Sequence, residues 1–334
     1  QNNTSGHSNT AMGRYGLYSN TTASYNVAVG NNAMYSNTTG ASNTAVGASA
    51  LQANTTGSNS TAVGYQALDA GTGAGYNDAF GVNALGALTT GERNASFGES
   101  SLSTLTTANY NCAFGSQTMQ LTTTGHSNAA IGFYALRENT TGTFNSALGK
   151  DAGKGVTTGQ NNTFLGYNSG TVSSPSGNVQ TEDNHFVMGD DNVQFLYCAD
   201  TSISSSDARD KTDVERFTHG LSWISKLSPV TYRWDKRSWY IDDSNTSINE
   251  CVPDGSKKRP RLHIGFLAQE HLEVEKEHGF ATERDNMIIT DITEDGDRYG
   301  MKYERLVPVL VNAIKEQQEQ IETLKAKVAA LESN

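Results

Sequence analysis

Charged residues are almost missing from the first half of this 334-residue sequence. Residues 1–170 hold six acidic and five basic side chains, so nearly all of the net charge of −11 lies in the second half. Such asymmetry indicates two modules of different kinds. The dense basic run from Lys257 to Arg261 stands in the acidic half and brackets a proline, which is typical of a solvated loop. We therefore expect no nucleic-acid partner.

Cysteine is scarce as well, and long apolar runs are absent. Cys112, Cys198 and Cys251 are too few and too scattered for a disulfide framework, and none has a partner at metal-ligand spacing. No apolar run approaches the ~18 residues that cross a bilayer, and the polar start of the chain does not resemble a signal peptide. We expect no metal, no cofactor and no membrane insertion. The missing initiator Met suggests a piece of a longer protein.

A glycine recurs every 17 residues through the first half of the chain, without insertion or deletion. Asparagine stands four residues before this glycine in nine of ten repeats, Ser60 being the exception. The residue directly before it is always apolar, the one before that is mostly Ala, and Leu or Met mostly follows four residues after it. The ten glycines are Gly13, Gly30, Gly47, Gly64, Gly81, Gly98, Gly115, Gly132, Gly149 and Gly166.

This period predicts a stack of short strands joined by turns, in which each unit packs against its neighbours. A helix is disfavoured because each unit carries two turn signals and no 3.6-residue apolar stripe. Asparagines in register could form a ladder of side-chain amides. The apolar stripe is thin, so we also expect burial between chains.

The repeats resemble the head repeats of trimeric autotransporter adhesins and the shafts of phage fibres. The resemblance covers residues 5–170 and implies an all-β shaft, either a trimeric parallel β-roll or an interwound triple β-helix. We assign residues 1–170 to this shaft. Residues 171–205, where the 17-residue register is lost, are expected to cap it with short strands at His185–Met188 and Val193–Tyr197.

Residues 206–334 are typical of an α+β domain. We predict helices over Val214–Leu227 and Ala268–Glu277, strands at Val230–Trp234 and Leu262–Leu267, and a hairpin from residue 287 to residue 303. A long helix follows over about 303–332, and its heptad pattern predicts a coiled coil. The proposed core positions of this coiled coil are Val307, Leu310, Ile314, Gln317, Ile321, Leu324, Val328 and Leu331.

Four segments of this module, in order, resemble the intramolecular chaperone of endosialidases, a self-cleaving peptidase at the C-terminus of phage tailspikes and tail fibres. They are Ser206–Lys211, Val230–Trp234, Gly265–Glu270 and Tyr303–Pro308. The resemblance implies a trimer and a catalytic dyad of Ser206 and Lys211. Asp207 and Arg209 belong to the same motif, whereas we carry no firm role onto Asp213.

The implied chemistry is cleavage of the bond between Ser205 and Ser206. The Ser206 hydroxyl would attack the carbonyl carbon of Ser205 and form an ester that water then opens. A lysine serves as the base only when it is neutral, which burial or a neighbouring cation favours. Arg209 is a candidate for that cation or for stabilising the oxyanion. Assembly of the trimer would bury Lys211 and so couple cleavage to folding.

Other candidate sites are weaker. The segment Asp291–Gly296 imitates the start of a calcium loop, but Lys302 stands where the bidentate glutamate belongs, so a hairpin turn is preferred. The histidines of the module lack metal-ligand spacing. Glu270, His271, Glu273 and Glu275 are interpreted as a solvated helix face.

These patterns predict the distal part of a homotrimeric phage tail fibre or spike that binds a host-cell receptor, a glycan or a protein. Its C-terminal chaperone would drive trimerisation, cleave itself off before Ser206 and leave the shaft in the virion, while the chaperone is released in the host cytoplasm. No turnover enzyme is expected. Two alternatives stay open, the non-catalytic end of a polysaccharide-degrading tailspike and a bacterial trimeric surface adhesin.

Overall fold

A computed structural model of the chain describes residues 2–193, 195–196, 206–241, 248–293 and 296–333. The chain divides into two compact units, Gln1–Gln194 and Phe195–Asn334. The first unit is a β-solenoid whose eleven three-residue strands form one sheet in sequence order. The strands are β1 (Thr10–Met12), β2 (Val27–Val29), β3 (Thr44–Val46), β4 (Thr61–Val63), β5 (Asp78–Phe80), β6 (Ala95–Phe97), β7 (Cys112–Phe114), β8 (Ala129–Ile131), β9 (Ser146–Leu148), β10 (Thr163–Leu165) and β11 (Phe186–Met188).

Every strand of the solenoid pairs in parallel with the strand one repeat away in the same chain. Ala28, for example, lies opposite Ala11 on one side and Ala45 on the other. The predicted all-β repeat shaft is therefore confirmed. Because neighbouring coils belong to one chain, the solenoid is of the β-roll type, and the interwound triple β-helix is not the structure that forms. We number the coils 1 to 10 by their glycines, Gly13 to Gly166.

An eleventh coil follows the ten regular ones. Strand β11 pairs with β10 in the same parallel arrangement, but Phe186 lies 23 residues after its partner Thr163 instead of 17. The extra residues lie between Gly170 and Val179, whose N–H donates to the Gly170 carbonyl at 3.0 Å. The predicted loss of the 17-residue register after Gly170 is confirmed, and the strand predicted at His185–Met188 forms as β11, which adds a further coil to the stack. No strand forms at 193, 195 or 196, and residues 194 and 197 lie outside the described part.

The inside and outside of the solenoid follow from position within the repeat. The alanine two before the glycine and the leucine or methionine four after it are buried, as at Ala62 and Leu68. The larger apolar residue directly before the glycine faces outward and is a third to two thirds exposed in many coils, for example Val46, Ile131 and Leu148. Each chain therefore buries two columns of side chains, one of alanine and one of leucine or methionine, and leaves a third apolar column on its surface.

Backbone crowding explains the invariant glycine. Gly98 has φ +137°, and a Cβ placed there would stand 2.4 Å from the carbonyl oxygen of Gly115 in the next coil. A side chain would meet backbone that cannot move aside, and an L-residue rarely adopts this φ. The same clash with the next coil holds from Gly13 to Gly149, so nine consecutive coils need glycine at this place.

The asparagines four residues before each glycine form a buried column. The side-chain Oδ1 of Asn94 accepts a hydrogen bond from the backbone N–H of Asn111 at 3.0 Å, and Asn111 Oδ1 accepts from Asn128 N–H at 3.0 Å. From Asn9 to Asn145 each Nδ2 also donates to a carbonyl 14 residues later, as Asn111 does to Gly125 at 2.9 Å. The predicted ladder exists, but its main bonds join side chains to backbone.

A second asparagine column, absent from the sequence prediction, comes closer to an amide ladder. Asn54 Nδ2 donates to Asn37 Oδ1 at 2.9 Å, and Asn37 Nδ2 donates to Asn20 Oδ1 at 3.3 Å. Leu88 and Leu105 occupy the same place two and three coils beyond Asn54 and are also buried. The side chains of this column thus differ between coils, with bonded amides in some and apolar leucine in others, while the pairing of the strands stays the same.

One large side chain inside the solenoid, at a position that is usually alanine, is accommodated by glycines at two positions that are usually leucine or methionine. Phe164 stands where alanine lines the interior of most other coils, and its ring is fully buried. Gly153 and Gly170 stand where leucine or methionine does in the first eight coils. A Cβ at Gly153 would lie 2.6 Å from Phe164 Cδ2, and one at Gly170 would lie 2.3 Å from Phe164 Cε1. The ring therefore fills the space that two missing side chains leave.

The second unit contains four short strands and three helices within its described residues. Two antiparallel pairs form, β12 with β13 and β14 with β15, so the predicted hairpin between residues 287 and 303 is confirmed. The elements are α1 (Leu221–Ile224), β12 (Val230–Tyr232), β13 (His263–Gly265), α2 (Ala268–Glu277), β14 (Thr290–Ile292), β15 (Tyr299–Met301) and α3 (Leu306–Glu332).

The helix predicted over Val214–Leu227 is wrong for most of its length. Only α1 is helical there, because the preceding backbone carbonyls bond elsewhere: Asn312 Nδ2 donates to the carbonyl of Phe217 at 2.8 Å and lies 3.3 Å from that of His219. Gly220 packs directly against α3, where a Cβ would stand 2.6 Å from the Ala313 nitrogen. The segment is held extended by contacts that no local pattern reports.

Candidate functional site

The segment that opens the C-terminal module brings a serine and a lysine together. Ala208–Asp210 forms a single 3-10 turn, and Asp207 begins it by accepting a hydrogen bond from Arg209 N–H at 2.9 Å. The turn reverses the chain, so that Lys211 Nζ donates to Ser206 Oγ at 2.8 Å. Both residues are exposed in the single chain. Ser205, on the other side of the predicted scissile bond, lies outside the described residues.

Asp207 and Arg209 form an ion pair beside this contact. Arg209 Nε lies 3.0 Å from Asp207 Oδ1, and Arg209 Nη2 lies 2.6 Å from Oδ2. The hydrogen bonds from Arg209 lower the pKa of the Asp207 carboxyl, and the carboxylate in turn raises the pKa of the arginine. The guanidinium is thus bound to its neighbour in this conformation. The sequence suggested that Arg209 acts as a cation beside Lys211 or stabilises an oxyanion. In either role the guanidinium would have to separate from Asp207.

The other three segments that carried the family resemblance meet in space. Strand β12, from Val230–Trp234, pairs with β13, which ends at Gly265. The Tyr303 hydroxyl accepts a hydrogen bond from Phe266 N–H at 3.1 Å, and a Cβ at Gly265 would stand 2.6 Å from that hydroxyl. A side chain at this position would have to displace the Tyr303 hydroxyl. These segments form the frame of the module.

A buried polar cluster lies under this frame. His271 Nδ1 is 3.0 Å from Thr290 Oγ1, and Trp223 Nε1 donates to His271 Nε2 at 3.3 Å. Glu275 Oε1 accepts from the backbone N–H groups of Ile289 and Thr290, both at 2.7 Å. Burial lowers the pKa of His271 to about 4, so the ring is neutral at pH 7.

The interpretation of Glu270–Glu275 as a solvated face is therefore wrong for two of its residues. The side chains of His271 and Glu275 are both fully buried on the inner side of α2. Their partners Trp223 and Thr290 lie 48 and 19 residues from His271 in the sequence. A histidine and a glutamate four residues apart on a helix were the only local signal of this inner face.

The two faces of helix α3 differ in burial. Leu306, Val309 and Ala313 are buried, and the first two belong to the core cluster around Trp223. From residue 317 to 333 every residue is exposed. The heptad positions are exposed throughout, and they are Val307, Leu310, Ile314, Gln317, Ile321, Leu324, Val328 and Leu331.

Among the described residues, no group of histidine, cysteine, aspartate and glutamate side chains is arranged to hold a metal ion. Nor does any described helix combine the length and apolar character needed to cross a membrane. The calcium-like segment at Asp291 runs into the turn of the β14–β15 hairpin, and residues 294 and 295 of that turn lie outside the described part.

Residues 206–280 match the family model described as chaperone of endosialidase. The match begins at Ser206, the residue that contacts Lys211, and includes β12, β13 and α2. No curated protein matches the chain, and no solved structure does. A β-solenoid followed by this chaperone segment fits a tail-fibre shaft joined to its chaperone domain. This combination suggests a protein of the tail-fibre or tailspike type.

Proposed function

We propose that the chain is the distal part of a homotrimeric phage tail fibre or spike in which residues 206–334 align three copies, promote folding of the shaft and then cleave themselves off. The observation that carries the proposal is the 2.8 Å contact between Lys211 Nζ and Ser206 Oγ at the first residue of the family match. After cleavage the shaft would remain in the virion, where it contacts the host-cell receptor.

Two exposed apolar columns support the trimer. One is the heptad face of α3, a helix in which every residue from 317 to 332 is exposed. An isolated helix of this length is marginal in water, so a coiled coil between copies would stabilise it. The other is the outward column of the solenoid, in which Phe80, Phe97 and Phe114 stack at 4.6 and 4.4 Å between ring centroids. Contact between copies would remove both columns from water.

Cleavage would proceed as a transfer of the acyl group followed by hydrolysis. Neutral Lys211 takes the proton of the Ser206 hydroxyl as Oγ bonds to the carbonyl carbon of Ser205. The C–N bond then breaks, the nitrogen takes the proton back from the lysine, and an ester to Ser206 Oγ remains. Water opens this ester and leaves a carboxylate on Ser205 and a free amine on Ser206. Neutral lysine is favoured where water is excluded, which the trimer would provide around Lys211.

The dyad is tested by replacing Ser206 or Lys211 with alanine and running the folded protein on a denaturing gel. Each variant should give a single uncut band, whereas the unmodified chain gives two fragments that end and begin at the Ser205–Ser206 bond. Lys258→Ala, at an exposed lysine of the same module, is the matched control and should be cut normally. Normal cutting of either dyad variant would exclude the proposed chemistry.

The trimer is tested independently with the uncut Ser206→Ala protein. Native mass spectrometry should give three chains, and Leu324→Asp on the heptad face should give one. Glu319→Ala, on the same helix but off that face, should leave three chains. A monomeric Ser206→Ala protein would contradict the assembly role.

A further inference from the structure

The outer surface of coils 8 to 10 carries an unusual side-chain cluster. It lies at the positions one, two and five residues after the repeat glycine. In coils 3 to 7 these positions carry no lysine or arginine. We call the cluster the coil 8–10 patch, and it consists of Phe133, Tyr134, Arg137, Lys150, Lys154 and Tyr167.

The patch concentrates the positive charge of the solenoid. It holds three of the five basic residues of residues 1–170. Asp151 pairs with Lys150 and lies 4.0 Å from Lys154, but its side chain is only 10% exposed, whereas the two lysine side chains are 53% and 36% exposed. Glu138 adds a second, half-buried carboxylate. A molecule approaching from solvent therefore meets the cations first.

Aromatic rings fix the positions of these cations. Arg137 lies over the Tyr134 ring at 4.6 Å from its centroid, and Lys154 lies over the same ring at 5.5 Å. Lys150 lies 5.1 Å from the centroid of Tyr167, a residue that is 52% exposed. Arg137 Nε also donates to Gln120 Oε1 at 3.2 Å. Side chains held in this way lose little further freedom when they bind a ligand.

The residues at the same repeat positions in other coils show that stacking does not require this cluster. The position of Tyr134 has a positive φ in every coil from 1 to 10, and asparagine, which tolerates that backbone, occupies it at Asn32, Asn83 and Asn168. Tyr134 is placed there at φ 62° although a bulky ring is disfavoured in this region. Coil 1 also has a tyrosine there, Tyr15, but coils 2 to 7 stack with asparagine, serine or glutamine at this position. Stacking therefore does not require the ring, and we infer that the patch has a role other than packing.

We propose that the coil 8–10 patch binds saccharides that carry carboxylate groups. Phe133 and Tyr167 are 39% and 52% exposed and offer apolar ring surface to the C–H groups of a sugar. The lysine and arginine side chains can bond a sugar carboxylate by charge-assisted hydrogen bonds. A nucleic acid fits less well, because the patch is short, contains two carboxylates and lies on a nearly uncharged shaft. This inference deepens the receptor-binding part of the proposed function and rests on it.

The test uses the purified full chain in the uncut Ser206→Ala form and biolayer interferometry. The probes are oligogalacturonate and α2,8-linked oligosialate, with maltoheptaose as a neutral saccharide and a single-stranded DNA oligonucleotide as an unrelated polyanion. At least one carboxylated probe should bind about tenfold more tightly than maltoheptaose and than the DNA, the range that charge-assisted hydrogen bonds provide. Equal or absent binding of both carboxylated probes would overturn the proposal.

The variants replace patch residues with residues that occupy the same place in other coils, so that folding is preserved. Lys150→Asn with Lys154→Gln should weaken binding of the acidic probe about tenfold, and Tyr167→Ser should weaken it several-fold. Arg93→Ser removes one cation from another face of the solenoid, where Arg93 lies over Tyr76, and should change nothing. If Arg93→Ser weakens binding as much as the lysine replacements, the attraction is general and the patch is not the site.

Native mass spectrometry of the same variants separates this inference from the assembly proposal. The lysine and tyrosine variants should keep the oligomeric state of their parent. Loss of that state on replacement would make the patch a contact between copies and overturn the saccharide site. A monomeric parent that still binds the acidic probe through the patch would refute the trimer and leave the binding site standing.

Discussion

Phe164 and Gly153 provide a direct test of how the solenoid interior is filled. Phe164→Ala should cost about 3–5 kcal/mol of unfolding free energy, because a fully buried ring is replaced by a cavity. Gly153→Leu should also destabilise the protein, since its Cβ would stand 2.6 Å from Phe164 Cδ2 and 2.9 Å from Leu136 Cδ2. The φ of Gly153 is 59°, close to the 48° of Leu136, so the backbone itself accepts leucine.

The double variant restores the alanine and leucine found in the other coils at these two places. It should therefore recover about 2 kcal/mol or more relative to the sum of the two single changes. Thermal unfolding of the four proteins by circular dichroism measures the coupling, and hydrogen exchange at Gly166 N–H, which donates to Leu148 at 2.7 Å, locates it. Phe144→Ala, at a ring 56% exposed, should change stability by less than about 0.5 kcal/mol. Additive losses in the double variant would refute the idea that the ring and the glycines fill one space.

Three further predictions concern other parts of the chain. Asn111→Leu should lower the free energy of unfolding by about 2–6 kcal/mol, because the Gly125 carbonyl and the Asn128 N–H both lose their hydrogen-bond partner. Chemical denaturation measures this loss. Asn31→Ala, at an exposed asparagine, is the control and should be nearly neutral. Gly98→Ala should lower the thermal midpoint more than any exposed alanine substitution, and an unchanged midpoint would contradict the backbone clash described above. The C-terminal module should lose about 3 kcal/mol of unfolding free energy as pH falls from 6.5 to about 4, because His271 takes up a proton in the unfolded chain before it does in the folded one. The variant His271→Gln, which lacks this titrating group, should show a flatter pH profile in urea unfolding.

The shaft was predictable because its signal is repeated ten times. Glycine, alanine and leucine at fixed offsets specify the turn and the interior column, and an unbroken count of 17 specifies the stacking. The eleventh coil was missed because its extra residues after Gly170 break the count while the strand itself keeps its pairing. The difference between the two asparagine columns was also missed, since the choice between backbone and amide partners depends on distances that spacing does not reveal.

The C-terminal module was predictable where contacts are local. Helix α2 begins and ends at the predicted residues, and the contact between Ser206 and Lys211 spans five residues. The predictions fail where residues distant in the sequence determine the local structure. Asn312 in α3 takes up the carbonyls of the segment before α1, and Trp223 and Thr290 surround a histidine that looks solvated in its own sequence neighbourhood.

The long eleventh coil has a consequence for how such shafts can change. Its additional residues emerge between Gly170 and Val179, yet the asparagine column still bonds to it, with His185 N–H donating to Asn162 Oδ1 at 2.8 Å. That corner therefore accepts additional chain length without disturbing the hydrogen bonds that hold successive coils together. The equivalent corner of any other coil offers a place to graft a foreign loop, so a shaft of this kind could acquire or exchange surface loops coil by coil while its stacking remains the same.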